Sequence, residues 1–243
     1  MAQNIYDDPA FFAGYSELPR SAEGLNAAPE WPTLRSMLPD PAGKRVLDLG
    51  CGFGAFARWA EAAGATAVVG IDISERMLAR ARQLTRGTVV SYHRADLAQL
   101  EPPPGRFEVV YSSLAFHYLP ECEDLLRRIR SRQHAGDRLV FSVEHPIYTA
   151  PSNAQWQTLR DREVIWPLNN YLNEGQRVTD WIVGGVVKYH RTVERYVANV
   201  LGAGYALTRL VEWRPSETDL TAHPEWANEV HRPMFLLVGA TAV

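Results

Sequence analysis

Between Val46 and Gly54 the chain reads Val-Leu-Asp-Leu-Gly-Cys-Gly-Phe-Gly, an apolar strand carrying one acid that runs into three alternating glycines. Glycine admits positive φ and lets another group approach the main chain closely. Gly50, Gly52 and Gly54 therefore predict a tight strand-to-helix turn whose amides open toward a ligand. Few other structures tolerate the pattern, because each glycine inside a regular helix or strand costs roughly 0.5 to 1 kcal/mol.

From Lys44 onward strand and helix signals alternate, which calls for an α/β doubly wound sheet with helices on both faces. Apolar runs mark seven strands, near 45–49, 67–71, 88–92, 107–112, 138–143, 205–213 and 234–240. Helices are expected over 54–63, 74–84, 122–132 and 192–201. Ser74 is a good N-cap, and Val193, Tyr196, Val197, Val200 and Leu201 form one apolar stripe ended by Gly202 as a C′ residue. A chain of 243 residues suits a single domain. Residues 1–39 would form an N-terminal helical cap and 144–187 an insertion after the fifth strand.

The glycine turn admits two cofactors. Gly50-x-Gly52-x-x-Ala55 satisfies the dinucleotide fingerprint, and Asp72 stands where a ribose-binding acid would. A nicotinamide-dependent oxidoreductase is thus one reading. Asp48, however, would set a carboxylate close to a pyrophosphate, whereas S-adenosylmethionine has no phosphate and carries sulfonium and ammonium cations. At an effective dielectric near 20, unit charges about 4 Å apart interact by roughly 4 kcal/mol, attractive or repulsive, so Asp48 favours the sulfonium. Two further acids fit an adenosine: Asp72 for its ribose hydroxyls, and Asp96, in Ala95-Asp96-Leu97, for the adenine amino group with Leu97 against the ring. Asp72 and Asp96 also suit helix N-caps.

VLDLGCGFG, then GIDIS, ADL and YSSLAFHY together resemble the class I S-adenosylmethionine-dependent methyltransferases of the small-molecule type, strongly from Lys44 to Val143 and weakly beyond. The resemblance implies a Rossmann-like fold and a cofactor site at Gly50, Gly52, Gly54, Asp72 and Asp96. Around these, Asp48, Ile73, Met77, Ala95, Leu97 and Ser112 complete the expected cofactor pocket. Tyr15 joins it from the cap, with Arg20 placed to reach the methionine carboxylate or else solvated at the surface. S-adenosylhomocysteine would be the product, and a regulator that binds the cofactor without transferring a methyl group is the non-enzymatic reading.

Substrate choice is expected in the two segments outside the alternation, because loops at the C-terminal edge of the strands carry the site in open α/β sheets. The insertion holds Trp156, Trp166, Tyr171 and Trp181, read as an aromatic lid and acceptor site to which His190 also belongs. Aromatic faces exclude water and attract cations by ~0.5 to 2 kcal/mol; such rings also commonly form a small secondary core. Methyl transfer requires alignment and dryness more than side-chain chemistry. Where an acceptor must lose a proton, His117 and His145, just past strands four and five, are the candidate bases.

Composition narrows the partners. A net charge of −3 and a pI near 6.2 provide no basic field for nucleic acid. The two cysteines, one inside the glycine turn, indicate no disulfide framework. No secretory signal or stretch of ~20 apolar residues is present, so a cytoplasmic protein off the membrane is expected. Strand four is not followed by Asp/Asn-Pro-Pro-aromatic, there is no Pro-Cys pair, and no metal-spaced carboxylates occur in the insertion. A small organic methyl acceptor remains; the composition leaves the oligomeric state open.

Overall fold

The computed structural model describes residues 3–243. Five parallel strands, β1 (Arg45–Leu49), β2 (Ala67–Asp72), β3 (Val90–Arg94), β4 (Val109–Ser113) and β5 (Arg138–Glu144), pair in the order 5-4-1-2-3. After β5 come four strands of the insertion: β6 (Gln157–Thr158), β7 (Val164–Ile165), β8 (Gly175–Trp181) and β9 (Val183–His190). The chain then returns to the main sheet with β10 (Tyr205–Glu212) and β11 (Phe235–Ala242), and β11 lies antiparallel between β5 and β10. The sheet therefore has the seven expected strands.

Strand periodicity sends alternate residues to two cores. In β1, Leu47 and Leu49 join one cluster with Ile71, Phe116, Phe141 and the inner faces of α6 (Glu123–Arg130) and α8 (Val193–Gly202). Val46 joins the other, with Val68, Val109, Trp31 of α3 (Trp31–Met37) and Phe56 and Ala60 of α4 (Ala55–Ala62). Because β2 and β4 flank β1 on opposite sides, the strand order reverses beside β1. The carboxyl end of β1 is thus the crevice where open α/β sheets bind ligands.

The expected strand at 88–92 lies two residues later. β3 is an edge strand, exposed along much of its length, so its side chains follow pairing with β2 rather than core burial. Gly202 is the last residue of α8 and not its C′ residue. Gly204 takes the left-handed turn at φ +87°, while Gly202 allows close approach, since a Cβ there would lie 2.8 Å from Glu123 Oε1. α5 (Glu75–Leu84) starts as expected, with the Ser74 hydroxyl accepting from Met77 N–H at 3.1 Å.

The cap expected over 1–39 begins at two residues that lie outside the described ones. From Gln3 on it contains α1 (Pro9–Ser16), α2 (Pro19–Ala22) and α3. It is bound to the insertion: Gln3 Nε2 donates to Gly185 O at 3.0 Å, Val187 N–H donates to Gln3 Oε1 at 2.9 Å, and Trp181 meets the Phe11 ring edge-on at 5.4 Å. Among the described residues no helix is long and apolar enough to cross a membrane.

Candidate active site at the carboxyl edge of the sheet

A cavity of about 660 Å³ opens at the carboxyl ends of β1, β2 and β4, within the size range of small-ligand sites. Gly50, Gly52, Asp72, Ile73, Met77, Asp96 and Leu97 line it, together with Tyr6, Tyr15, His117, Tyr118, Trp181, Glu144, Tyr148, Trp226, Met234 and Phe235.

All three turn glycines are left-handed, at φ +72°, +50° and +73° for Gly50, Gly52 and Gly54. Gly52 has nothing within 4 Å of where a Cβ would stand, so its backbone faces open space. Gly54 is required for packing instead, since a Cβ would fall 2.1 Å from the Tyr92 hydroxyl. Asp72 anchors the turn: Oδ2 accepts from Gly52 N–H at 2.8 Å and Oδ1 from Ser74 N–H at 2.9 Å. Burial nevertheless pushes its carboxyl up to about 6, against those donors. Asp96 lines the cavity and also caps a short 3-10 turn, accepting from Ala98 N–H at 3.0 Å.

Asp48 does not present its charge to the cavity. It lies beneath the turn, 2% exposed, with Oδ2 lacking a hydrogen-bond partner, and burial followed by the proximity of Asp72 raises it to about 8. The expectation of a bare carboxylate selecting the sulfonium is corrected to a buried acid that holds its proton at neutral pH. With the turn amides donating to Ile71 O, Asp72 and Cys51 O, and Asp72 and Asp96 lining the cavity, the site offers little to a diphosphate. The guanidinium that reaches the cavity, Arg20, is committed: Nη2 donates to both oxygens of buried Glu30 at 2.6 and 2.8 Å. Nη2 is thus taken by Glu30, while Arg20 still lines the cavity. Ser112 and Ala95 are backbone fasteners outside the lining, donating to Leu49 O (2.8 Å) and Asp72 O (3.0 Å) respectively. Its neighbour Ser113 lines the cavity.

His117 lines the cavity and is buried, and burial lowers it to about 4. Its Nδ1 accepts the Glu144 backbone N–H at 3.3 Å, which leaves the ring proton on Nε2. The neutral ring is therefore set up as a donor and not as the expected proton acceptor. His145 is not in the lining. Its Nδ1 accepts Ile147 N–H at 3.0 Å, capping α7 (Pro146–Thr149), and Nε2 lies 2.9 Å from Glu212 on β10. The reason is parity: at the end of β5, Glu144 turns into the cavity and the next residue turns away.

The insertion's aromatics divide in the same manner. Trp181 covers the cavity, while Trp156 and Trp166 pack with Tyr148 around the Arg232 guanidinium, 4.5, 4.0 and 4.4 Å from the three ring centres. Trp166 also donates from Nε1 to Ile147 O at 2.8 Å. Tyr171 and His190 hold the base of the β8–β9 hairpin. His190 lies 2.8 Å from the Thr149 hydroxyl and 2.9 Å from Tyr171 O, and the Tyr171 hydroxyl accepts Val193 N–H at 3.2 Å. Of the expected acceptor-binding rings, Trp156 and Trp166 thus form a satellite core, Tyr171 and His190 hold the hairpin base, and Trp181 lines the cavity. The residues that sequence reasoning missed are Tyr6, Tyr118, Lys188 and Glu144. Strand parity at the end of β5 was the one signal that pointed to Glu144.

Comparison with known proteins agrees with this geometry. A family model described as a methyltransferase domain matches residues 46–136. The crystal structure of an S-adenosylmethionine-dependent methyltransferase from Mesorhizobium loti superposes with TM-score 0.85 at 47% identity, over 90% of this chain and 100% of that one. A Haemophilus influenzae protein described as uncharacterized is 33% identical over 99% of this chain and 97% of its own length. The 27-O-demethylrifamycin SV methyltransferase of Amycolatopsis mediterranei is 31% identical over 54% of this chain, which spans about half (49%) of that enzyme. The chain belongs to the class I S-adenosylmethionine-dependent methyltransferases. Its cofactor is S-adenosylmethionine, as the family requires, and the nicotinamide reading falls away.

Proposed function

We propose that the protein transfers a methyl group to a small organic acceptor bound between the glycine turn and the rim formed by Tyr148, Trp226, Met234 and Phe235. The observation that carries this reading is that one cavity is lined both by Gly50, Gly52, Asp72 and Asp96 and by apolar groups such as Trp181, Trp226, Met234 and Phe235. Gly52 would receive the amino-acid part of the cofactor against open backbone beside Gly50, and Asp72 and Asp96 its ribose and adenine. Ile73, Met77 and Leu97 would pack against the flat groups. Asp48 and Gly54 shape the turn from below. When bound, the cofactor supplies an electrophilic methyl carbon, so alignment and exclusion of water are what the chain must provide.

The Tyr6, Tyr15, Tyr118 and Trp181 rings supply that exclusion. Tyr6 meets Tyr15 edge-on at 5.3 Å and Tyr118 at 5.9 Å, with the Tyr6 and Tyr118 hydroxyls 3.2 Å apart. Nε2–H of His117 would orient an acceptor oxygen or nitrogen. A regulator without transferase activity calls for an insertion packed shut; a cavity of about 660 Å³ lined in part by Trp181, Trp226, Met234 and Phe235 argues for a substrate. Both thiols are free, which suits the reducing cytoplasm in which we place the protein.

Calorimetric titration with S-adenosylhomocysteine tests the cofactor end, and a panel of phenols, amines and carbon acids with methyl-labelled cofactor tests the rest. Saturable binding and one labelled product class are expected. A panel that stays unlabelled while the homocysteine compound binds would leave the regulator as the better reading.

A further inference from the structure

Strand spacing divides the cavity lining. Asp72 closes β2, and Phe235 opens β11 opposite Glu144, the last residue of β5, so both stand at the carboxyl edge of the sheet. Four strand steps separate them in the order 11-5-4-1-2, and at ~4.8 Å a step that is roughly 19 Å along the edge. Phe235 and three other residues of the lining, His223, Trp226 and Met234, are thus offset from the acids expected to hold the cofactor. They belong to the connector between β10 and β11 and to the first residue of β11.

The connector holds one ring still. Its helix α9 (Glu217–Ala222) is fixed at the start by a capping box: the Ser216 hydroxyl accepts from Asp219 N–H at 3.2 Å, and Asp219 Oδ2 accepts from Ser216 N–H at 2.8 Å. In the 3-10 turns that follow, Pro224–His231, the Trp226 ring meets Trp213 edge-on at 6.1 Å. Trp213 is 4% exposed and packs in turn on Phe235 at 5.9 Å, so Trp226 is anchored to the core. Trp226 itself is only half-buried, and no residue of those turns is fully buried. A wide apolar ring, anchored from behind and left open to a cavity, is a surface that a ligand covers. The His223 ring already lies on Trp226, 4.1 Å away and 14° from parallel, with Nδ1 3.0 Å from Glu225 Oε1. Face-to-face contact with a flat ring is therefore what this indole makes within the protein itself.

We propose that the β10–β11 connector reads the acceptor, with Trp226 and the His223 ring stacked on it packing against a flat aromatic ring that the acceptor carries. This rests on the methyltransferase reading and narrows its acceptor to aromatic compounds. Met234 and Phe235 complete the apolar wall beside the stack. Trp226 is a specificity residue here: it holds the acceptor's ring and takes no part in the transfer.

The test titrates 2-naphthol and its saturated counterpart, decahydro-2-naphthol, into the whole chain saturated with S-adenosylhomocysteine. The saturated compound is the more apolar of the two, so burial alone favours it and stacking alone favours the flat one. Calorimetry should show one 2-naphthol bound per chain, about threefold or more tighter than decahydro-2-naphthol. Trp226→Ala should weaken 2-naphthol by about tenfold or more, and Trp226→Leu, which keeps apolar volume without a π face, by about fivefold or more. Trp226→Phe should stay within about twofold of wild type. The Leu variant carries the test alone should the Ala variant fail to fold. Affinity for S-adenosylhomocysteine should stay within about twofold in all three, because Trp226 is offset from the residues that would hold it. Equal or tighter binding of the saturated probe overturns the proposal, as does 2-naphthol affinity unchanged by the Ala and Leu substitutions, or no 2-naphthol binding at millimolar concentration. Loss of S-adenosylhomocysteine binding by wild type would instead overturn the methyltransferase reading, and calorimetry without the probes separates the two failures.

Discussion

Asp48 shows how much a residue's meaning depends on what surrounds it. Buried beneath the turn, it holds its proton up to about pH 8, while an unfolded Asp releases it near 4. Between those values unfolding releases a proton, so stability falls as pH rises. Asp72, at about 6, acts in the same direction over a narrower window. His117, lowered from 6.5 to about 4, acts oppositely between those two values. Asp48→Asn removes the largest of these contributions. Thermal unfolding of the ligand-free protein at several pH values should show the variant gaining on wild type between pH 5 and 8, by up to about 1.4 kcal/mol per unit; parallel curves would contradict the assignment. Gly54 makes the complementary point about backbone. Left-handed at φ +73° and pressed against Tyr92, it should lose upward of about 1 kcal/mol on substitution by Ala, measured by urea unfolding. Affinity for S-adenosylhomocysteine should fall with it, because the turn is shared.

At the scale of elements, the β8–β9 hairpin and the cap act as one cover. Ile182 sits at the hairpin tip with φ +63° and packs on Gly14 of α1, where a Cβ would come within 2.6 Å of it. Trp181 adds edge-on contacts to Phe11 and Tyr15, and Gln3 ties the segment before α1 to β9 by two hydrogen bonds. The hairpin pairs with no strand of the main sheet; these contacts, its base and the Lys188–Glu144 ion pair hold it in place. Trp181→Ala should therefore loosen the cover without unfolding the sheet. Amide exchange across Pro9–Ser16 is expected to speed up on the order of tenfold with exchange in β1 and β4 unchanged. Equal acceleration in all of these would mean that the cover is not a separate unit.

Over the whole molecule, the insertion is joined to the carboxyl-terminal part of the chain through Arg232, buried among three rings and paired with Glu229. Removing one partner of a buried pair costs about 3 to 5 kcal/mol. Arg232→Ala should lose stability of that order in urea, and trypsin should then cut first at exposed Arg160 or Arg162 between β6 and β7; unaltered stability would show that the cage is not a fastener. Such long-range pairings explain which parts of this protein were legible in its sequence. The glycine turn, the seven strands and the acids closing β2 and β3 could be read directly, because periodicity and glycine's access to positive φ are properties of a short stretch of chain. The partner of Arg20, the proton on Asp48, the role of His145 as a cap and the retreat of Trp156 and Trp166 into a satellite core could not. Each depends on groups brought near from distant segments. The sequence by itself determined the sheet, its crevice and the cofactor it serves. Only the tertiary structure decided that Glu144 and His117, and not His145 or most of the insertion's rings, face the cavity, since burial and charge at a site are set by neighbours that the chain's order does not name.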